Sequence, residues 1–236
     1  MRLRSRDPRS ARFLTPATVR WIISERAWTP YYLKRYWRFL VFRVRHPEVV
    51  CEGFVFLGKR IEWVIRPGYG RIILGEWVHI GNDNKLRAHN GTLRLGEKVI
   101  LGQANVINTH LDIEIGRATL ISDWVYICDF DHGTADLATP IKDQPLVTSP
   151  VLIGPECWVG VKASVLRGTQ VGHGCVLAAH TVARGTYATN SIVAGIPGTV
   201  RGTRGLSAAE EAELRRYLAG VSADKQAALR SLDDPR

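Results

Sequence analysis

The sequence has no long run of apolar residues, and this lack limits the classes of protein to which it can belong. No stretch approaches the roughly 20 consecutive apolar residues that a membrane-spanning helix needs. The start, Met-Arg-Leu-Arg-Ser-Arg, continues into polar residues and does not form the apolar centre of a signal peptide. We therefore expect a cytoplasmic protein, with a peripheral position at the inner face of the membrane as a second expectation.

Cysteines are few and widely separated. Cys51, Cys128, Cys157 and Cys175 show neither the close pairing of a zinc site nor the density of a disulfide framework. They predict reduced, mostly buried thiols. With 45% apolar and 23% charged residues among 236, the chain can bury a core, and this composition excludes disorder of the whole chain.

Excess charge is absent from most of the chain. Residues 61–236 contain 18 Lys+Arg and 18 Asp+Glu, whereas residues 1–60 contain 14 and 4, so the whole net charge of +10 is N-terminal. We do not expect nucleic-acid binding, because no recognition helix or stacking sheet motif accompanies this charge.

Two helices are predicted in the N-terminal segment, residues 1–50. In Thr15-Pro16 and Thr29-Pro30 an N-cap residue stands directly before a proline, which predicts helices near 16–27 and 30–45. The second helix either covers the neighbouring domain or lies on an anionic membrane surface or a lipid-linked glycan. Its apolar stripe consists of Leu33, Trp37, Leu40, Val41 and Val44, and its other surface carries Lys34, Arg35, Arg38 and Arg45.

The middle of the chain carries a six-residue repeat. Aliphatic residues recur at every sixth position within four runs, and a small or β-branched residue usually follows four positions later, with Asn84 and Asn105 as polar exceptions. A period of six fits neither an α-helix nor an alternating strand. It predicts a mainly β fold, a parallel β-helix of about five coils, in which three short faces make one coil and glycine relieves the corners. The runs are Leu74, Ile80, Leu86; Leu95, Leu101, Ile107; Ile115, Ile121, Ile127; and Ile153, Val159, Val165, Val171, Leu177.

The repeat has one long interruption, from Asp129 to about Pro150. Such an insertion is too long for a turn, and long loops on rigid scaffolds often carry the chemistry. After the repeat, Ser207-Ala-Ala-Glu210 forms a capping box that predicts a helix near 207–219, placed to cover the open end of the coils. The sequence therefore predicts three parts: a helical segment over 1–50, a β-helix over 51–204, and a C-terminal helix and tail over 205–236.

Further motifs accompany the period, namely Ile153-Gly-Pro-Glu-Cys-Trp-Val-Gly160, Gly172 and Ile192-Val-Ala-Gly-Ile-Pro197. With the long loop, they make residues 73–204 resemble the hexapeptide-repeat acyltransferases, particularly the galactoside, maltose and exopolysaccharide O-acetyltransferases. The resemblance implies left-handed coils and a homotrimer with an active site in each cleft between subunits. It also implies transfer of an acyl group, usually acetyl, from acetyl-CoA to a hydroxyl of a sugar, polysaccharide or glycolipid, without a metal.

His132 is the predicted general base. It stands in Cys-Asp-Phe-Asp-His-Gly at the start of the long loop, where the family carries its histidine in a Gly-His or Asp-His context. Neutral imidazole suits the removal of a hydroxyl proton near pH 7. Asp129 and Asp131 flank His132, and either could orient the ring, contact acceptor hydroxyls or be a solvated loop acid. Asn108, which lies one coil beneath Cys128, could hydrogen-bond an acceptor sugar or satisfy the backbone at a corner.

The resemblance further implies contacts to coenzyme A. Trp158 and Gly160 match the family's Trp-Ile-Gly beside the pantetheine slot, and Ala179 matches an alanine whose backbone contacts the cofactor. The family's Thr-Lys-Asp is replaced by Ala183-Arg184-Gly185, which displaces the cation by one residue. The expected contacts to the phosphates are Arg184, Arg201 and Arg204.

Two other function classes remain open. His89 and His110 each follow a repeat residue by three positions, and together with His132 they resemble the zinc ligands of a γ-carbonic-anhydrase-like protein. His132 lacks a histidine partner four to six residues on, which departs from that family. The third class is a non-catalytic β-helix used as a scaffold.

Overall fold

The computed structural model describes residues 15–205 and residue 216. These residues fall in two compact units that part between Thr203 and Arg204. The first unit consists of two helices followed by a three-sided, left-handed parallel β-helix. The predicted C-terminal helix and tail lie outside the described residues, apart from Gly205 and Arg216.

Both predicted N-terminal helices are present, α1 (Pro16–Ser24) and α2 (Pro30–Arg45). Thr15 caps α1, because its side-chain oxygen accepts a hydrogen bond of 3.1 Å from the backbone N–H of Thr18. The first helix ends earlier than predicted, and Arg26 just beyond it has a positive φ of 48°.

Three parallel sheets form the sides of the column, and each coil adds one strand to each sheet. Face A consists of β1 (Val50–Cys51), β4 (Gly70–Leu74), β7 (Gly91–Leu95), β10 (Asp112–Ile115), β15 (Val151–Ile153), β18 (Gln170–Val171) and β21 (Thr186–Tyr187). Face B consists of β2 (Phe56–Leu57), β5 (His79–Ile80), β8 (Ile100–Leu101), β11 (Leu120–Ile121), β16 (Trp158–Val159), β19 (Val176–Leu177), β22 (Ser191–Ala194) and the antiparallel β23 (Thr199–Thr203). Face C consists of β3 (Glu62–Ile65), β6 (Lys85–Ala88), β9 (Val106–Thr109), β12 (Tyr126–Cys128), β17 (Ser164–Val165) and β20 (Val182–Ala183).

Six complete coils and two faces of a seventh are present, so the prediction of about five coils was too low. The additional complete coil, β1–β3, lies at the N-terminal end. Its inward positions are Cys51, Leu57 and Trp63, which pair in register with the first predicted run. These positions keep the six-residue spacing, but a thiol and an indole hide it from a search for aliphatic residues.

The repeat residues fill the interior of the column, as predicted. Leu74, Leu95, Ile115 and Ile153 are all buried and stand in register from coil to coil along face A. This stacking of aliphatic side chains supplies the apolar burial that stabilises each coil against its neighbours.

The two polar exceptions form a hydrogen-bonded ladder inside the column. Asn84 and Asn105 are completely buried. The Asn84 side-chain amide donates to the carbonyl oxygen of Gly102 at 2.7 Å, and its Oδ1 accepts from the Asn105 backbone N–H at 3.2 Å. Asn105 Oδ1 accepts in turn from the backbone N–H of Val125 at 2.7 Å. Interior asparagines are tolerated here because they bond the turns of successive coils.

Glycine has a different role from the predicted relief of the corners. The left-handed positions at the turns belong largely to other residues, such as Asp83 with φ 61° and Lys98 with φ 58°. Gly81 does not have a left-handed backbone, but a Cβ added to it would overlap the carbonyl oxygen of Gly102 in the next coil. Glycine at this position therefore allows the coils to approach each other closely.

The second helix packs on the first coil through an aromatic face. The ring centroids of Phe39 and Phe54 are 4.9 Å apart, and those of Phe42 and Trp63 are 4.8 Å apart. The helix thus covers the domain, which was one of the two alternatives left open. Among the described residues no helix is long and apolar enough to cross a membrane.

The apolar stripe marked in the sequence is not the packing face. Leu33, Trp37, Leu40 and Val44 are 55%, 65%, 39% and 74% exposed. Phe39 and Phe42 lie on another side of the same helix, and these buried rings make the contact with the column.

Gly81→Ala tests whether close stacking of the coils requires this glycine. We expect the free energy of unfolding to fall by about 1–3 kcal/mol, because the added methyl group meets backbone that cannot move aside. Gly202→Ala is the control, since a Cβ there would meet open space, and its effect should be within about 0.5 kcal/mol. Chemical denaturation measures both; equal losses in the two variants contradict the interpretation.

Candidate active site

The long loop leaves the column where the chain passes from face C to face A, which we call edge CA. It contains an antiparallel hairpin of β13 (Phe130–His132) and β14 (Leu146–Thr148), and one turn of 3-10 helix, Ile141–Asp143. In this hairpin His132 pairs with Leu146 and is exposed. The loop therefore presents the imidazole from a short, hydrogen-bonded arm.

Asp129 holds the root of this arm. Its side chain is completely buried. The carboxylate accepts hydrogen bonds from Thr109 Oγ1 at 2.5 Å and from the backbone N–H groups of His110 and Leu111 at 2.8 and 2.9 Å. Because its oxygens are engaged and inaccessible, this geometry favours a structural role over the acceptor contact considered from the sequence.

Asp131 lies in the same cavity as His132 and is paired with cations. Arg167 Nε donates to Asp131 Oδ2 at 2.5 Å, and an Arg184 guanidinium nitrogen lies 3.5 Å from the same oxygen. The cavity has a volume of about 810 Å³ and is also lined by Gln144. The structure thus brings together His132, Asp131 and Arg184 from the predicted set and adds Arg167, which the sequence analysis missed.

Aromatic and imidazole rings continue along edge CA. The rings of His89 and His110 stack with centroids 4.9 Å apart, and His110 meets Phe130 edge-on at 4.4 Å. Burial lowers the pKa of His110, and the charge of His89 lowers it further. Among residues 15–205 no three His, Cys, Asp or Glu side chains are grouped so as to hold a metal ion.

Asn108 occupies the predicted position, in register with Cys128 on face C. Its Oδ1 is shielded from solvent and has no hydrogen-bond partner within the described part of the chain. Burial raises the pKa of the Cys128 thiol and of the Tyr126 hydroxyl, so both groups stay protonated near neutral pH.

The residues matched to a coenzyme A slot lie elsewhere on the column. Trp158 stands on face B with its side chain half-exposed, and its Nε1 donates to Ser122 Oγ at 3.0 Å. Gly160 and Ala179 stack at the edge between faces B and C, where a Cβ on Gly160 would come within 2.6 Å of the Ala179 backbone nitrogen. Arg201 lies in β23, at the end of face B, and Arg204 is an exposed residue of the second unit.

Known proteins with similar sequences are acetyltransferases. The probable acetyltransferase Rv3034c of Mycobacterium tuberculosis is 52% identical over 228 residues, which cover 95% of this chain and 76% of the relative. The putative lipopolysaccharide biosynthesis O-acetyl transferase WbbJ of Escherichia coli is 36% identical over 139 residues, 56% of this chain and 71% of the relative. This chain belongs to the hexapeptide-repeat acetyltransferase family. No protein-family model matches it.

Membership of the hexapeptide-repeat acetyltransferases makes the protein an acyltransferase and decides against the carbonic-anhydrase and scaffold alternatives. A more distant relative, the putative colanic acid biosynthesis acetyltransferase WcaF of Escherichia coli, is 26% identical over 179 residues, 74% of this chain and 78% of the relative. Among solved structures, AntD, an N-acyltransferase from Bacillus cereus in complex with dTDP and 3-hydroxybutyryl-CoA, shares the fold. Its TM-score is 0.54 at 15% identity, over 77% of this chain and 95% of AntD.

Proposed function

We propose that this hexapeptide-repeat acetyltransferase moves an acetyl group from acetyl-CoA to a sugar hydroxyl in a polysaccharide or glycolipid, with His132 as general base. The observation that carries the proposal is an exposed imidazole, fixed by a hairpin, in a cavity of about 810 Å³ beside the rigid column. Relatives named for lipopolysaccharide and colanic acid biosynthesis support an acceptor of this class.

The chemistry needs one proton to move in and out of the imidazole. His132 takes the proton of the acceptor hydroxyl while the hydroxyl oxygen bonds to the thioester carbonyl carbon. The tetrahedral intermediate then breaks its carbon–sulfur bond, and the departing thiolate takes the proton from the imidazolium. The products are the acetyl ester and free coenzyme A, so the base is restored in each turnover.

The pair Asp131–Arg167 forms the acceptor side of the proposed site, because both side chains line the cavity that contains His132. Asn108 is not assigned to it: its Oδ1 lacks a hydrogen-bond partner among the described residues but is shielded from solvent, and the residue does not line this cavity. Asp131 lines the cavity and ties the arm to the column through Arg167. We assign Arg184 to this group as well, because its guanidinium lies 3.5 Å from Asp131 Oδ2 and lines the cavity that contains His132.

We propose that the other half of the site comes from a neighbouring subunit of a homotrimer. In one chain Trp158 and Gly160 lie on face B and its edge with face C, whereas His132 lies on edge CA. Face B also exposes apolar side chains in register with Trp158, including Leu120, which is 41% exposed. Association of three columns with face B against edge CA would bury these side chains and join the base to the thioester slot.

His132→Ala tests the general base. We expect acetyl transfer to de-O-acetylated polysaccharide, followed as free thiol released from acetyl-CoA, to fall about 10²- to 10⁴-fold. His173→Ala is the matched control, because His173 is an exposed histidine outside the loop, and it should keep the parental rate. A folded His132→Ala protein with more than about a tenth of the parental rate contradicts the assignment.

Mixing of variants tests the shared site. We expect His132→Ala and Trp158→Ala chains to be nearly inactive separately. When both chains are expressed together in equal amounts, about a quarter of the sites should regain activity, because a site works only if it receives an intact His132 half and an intact Trp158 half, each with a chance of about one half. Activity no higher than the sum of the separate variants shows that a single subunit contains the whole site.

We further propose that the stripe Leu33, Trp37, Leu40 and Val44 lies on an anionic membrane surface, at the inner face of the membrane. These side chains are exposed on the side of α2 that does not pack on the column. The residues Lys34 and Arg45 adjoin the stripe, and the helix contains no acidic residue. This combination of exposed apolar residues and uncompensated positive charge is typical of interfacial helices.

Binding to vesicles tests this surface. The double variant Leu33→Ser/Trp37→Ser should lose at least about tenfold in affinity for phosphatidylglycerol vesicles, since the buried apolar area falls. Leu137→Ser, a change at a leucine that is 99% exposed on the long loop, should bind like the parent. If the double variant keeps its affinity for vesicles but no longer forms the parental oligomer, the stripe is a subunit contact and the proposal fails.

A further inference from the structure

A second cavity, separate from the one that contains His132, lies between the two helices and face B. Its volume is about 710 Å³, within the range of sites that enclose small-molecule ligands. Its floor consists of Phe56, His79 and Ile100, which stand in register on three successive coils. Trp21 of α1 and Tyr32 of α2 form its walls. The cavity therefore depends on the N-terminal helices and does not belong to the column alone.

The walls of this second cavity are aromatic and closely packed. The ring of Trp21 lies 5.0 Å from Trp77, 5.5 Å from Tyr32 and 5.8 Å from Phe56, measured between centroids. His79 lies against Phe56 with centroids 4.0 Å apart. The interplanar angles of these four pairs run from 35° to 79°, so none is a parallel stack, and the rings form a continuous apolar surface.

The lining of this second cavity is positively charged. Arg20, Arg35 and Lys98 line the cavity, and no acidic side chain does so among residues 15–205. Arg35 stacks on the Tyr31 ring at 3.6 Å, and Lys98 pairs with the exposed carboxylate of Glu97 at 3.0 Å. Arg20 and Arg35 are therefore the cations best placed for a ligand, because neither has a carboxylate as a partner in the wall.

Exposed apolar side chains lie next to residues that line the cavity. Val19 and Ile23, on either side of Arg20 in α1, are 43% and 63% exposed, and Tyr31 is 56% exposed. An aromatic cavity that is lined by cations and flanked by exposed apolar side chains matches a ligand that has an apolar chain joined to an anionic head.

We infer that this cavity binds a phosphate-bearing lipid, with the chain against the aromatic floor and the phosphate at Arg20 and Arg35. The binding of a lipid phosphate in this cavity is independent of the proposed function. The role of the cavity as the anchor of a lipid-linked glycan acceptor rests on that function. A soluble nucleotide is the principal competing ligand, since phosphates and aromatic rings also suit it.

Calorimetric titration of the full chain tests the inference with four probes: farnesyl phosphate, farnesol, inorganic phosphate and UDP. Farnesyl phosphate should bind at least about tenfold more tightly than each of the other three, because only it offers both chain and charge. Arg20→Glu should weaken farnesyl phosphate about tenfold or more and leave farnesol unchanged. Ala17→Trp, which fills the cavity from an exposed position of α1, should weaken both lipids.

Lys85→Glu is the matched control, because it reverses an exposed cation on face C, away from the cavity, and it should bind like the parent. Tighter binding of UDP or of inorganic phosphate, or unchanged affinity in both Arg20→Glu and Ala17→Trp, overturns the inference. His132→Ala should bind farnesyl phosphate normally. If that variant keeps both the parental binding and the parental transfer rate, the assignment of His132 as general base is contradicted, whereas the lipid site is still supported.

Discussion

Backbone hydrogen bonds between successive coils are the constraint on which the rest of the molecule depends. The Gly96 N–H donates to the carbonyl of Ile115 at 2.8 Å, and the Gly116 N–H donates to that of Ile153 at 2.7 Å. Such bonds fix the spacing of coils at about 4.8 Å. A coil cannot take up extra residues without breaking the pairing on both sides, so every insertion has to leave the column at an edge.

The long loop obeys this constraint. Ile113 of β10 pairs directly with Val151 of β15, although the loop separates them in sequence. The column therefore continues as if nothing were inserted, and the arm that carries His132 starts from a fixed root. Asp129 is buried and accepts hydrogen bonds from the coil below, whereas His132, three residues later, is exposed to the cavity.

The six-residue period made the architecture predictable from the sequence. Each face needs one interior residue, and this local requirement recurs in every coil. The same rule failed at the first coil, where Cys51 and Trp63 occupy inward positions without being aliphatic. The packing face of α2 was missed because two apolar stripes compete on that helix. Choosing between them requires the shape of the first coil, which the helix sequence does not contain.

Side-chain partners across coils were the hardest part to predict. Arg167 and Asp131 are 36 residues apart and meet only because both lie on edge CA. The positions of Arg167 and Arg184 beside the loop follow from the repeat, since Arg184 comes one residue and Arg167 two residues after an inward position of face C. The identity of the loop residue that they pair with still depends on how the hairpin turns.

Rigid stacking also determines how the parts of the protein can cooperate. Ile100, at the floor of the cavity between the helices, is in register with Leu120 and then with Trp158 on face B. Two steps of strand spacing separate that floor from the proposed thioester slot by about 10 Å. The column cannot shorten this distance, so an acceptor whose lipid chain lies on that floor has to extend about 10 Å along face B to bring its hydroxyl to the slot. In a trimer with shared sites, the anchor and the slot then belong to one subunit and the base to its neighbour. Subunit association, rather than a movement within one chain, would bring the base to the acceptor.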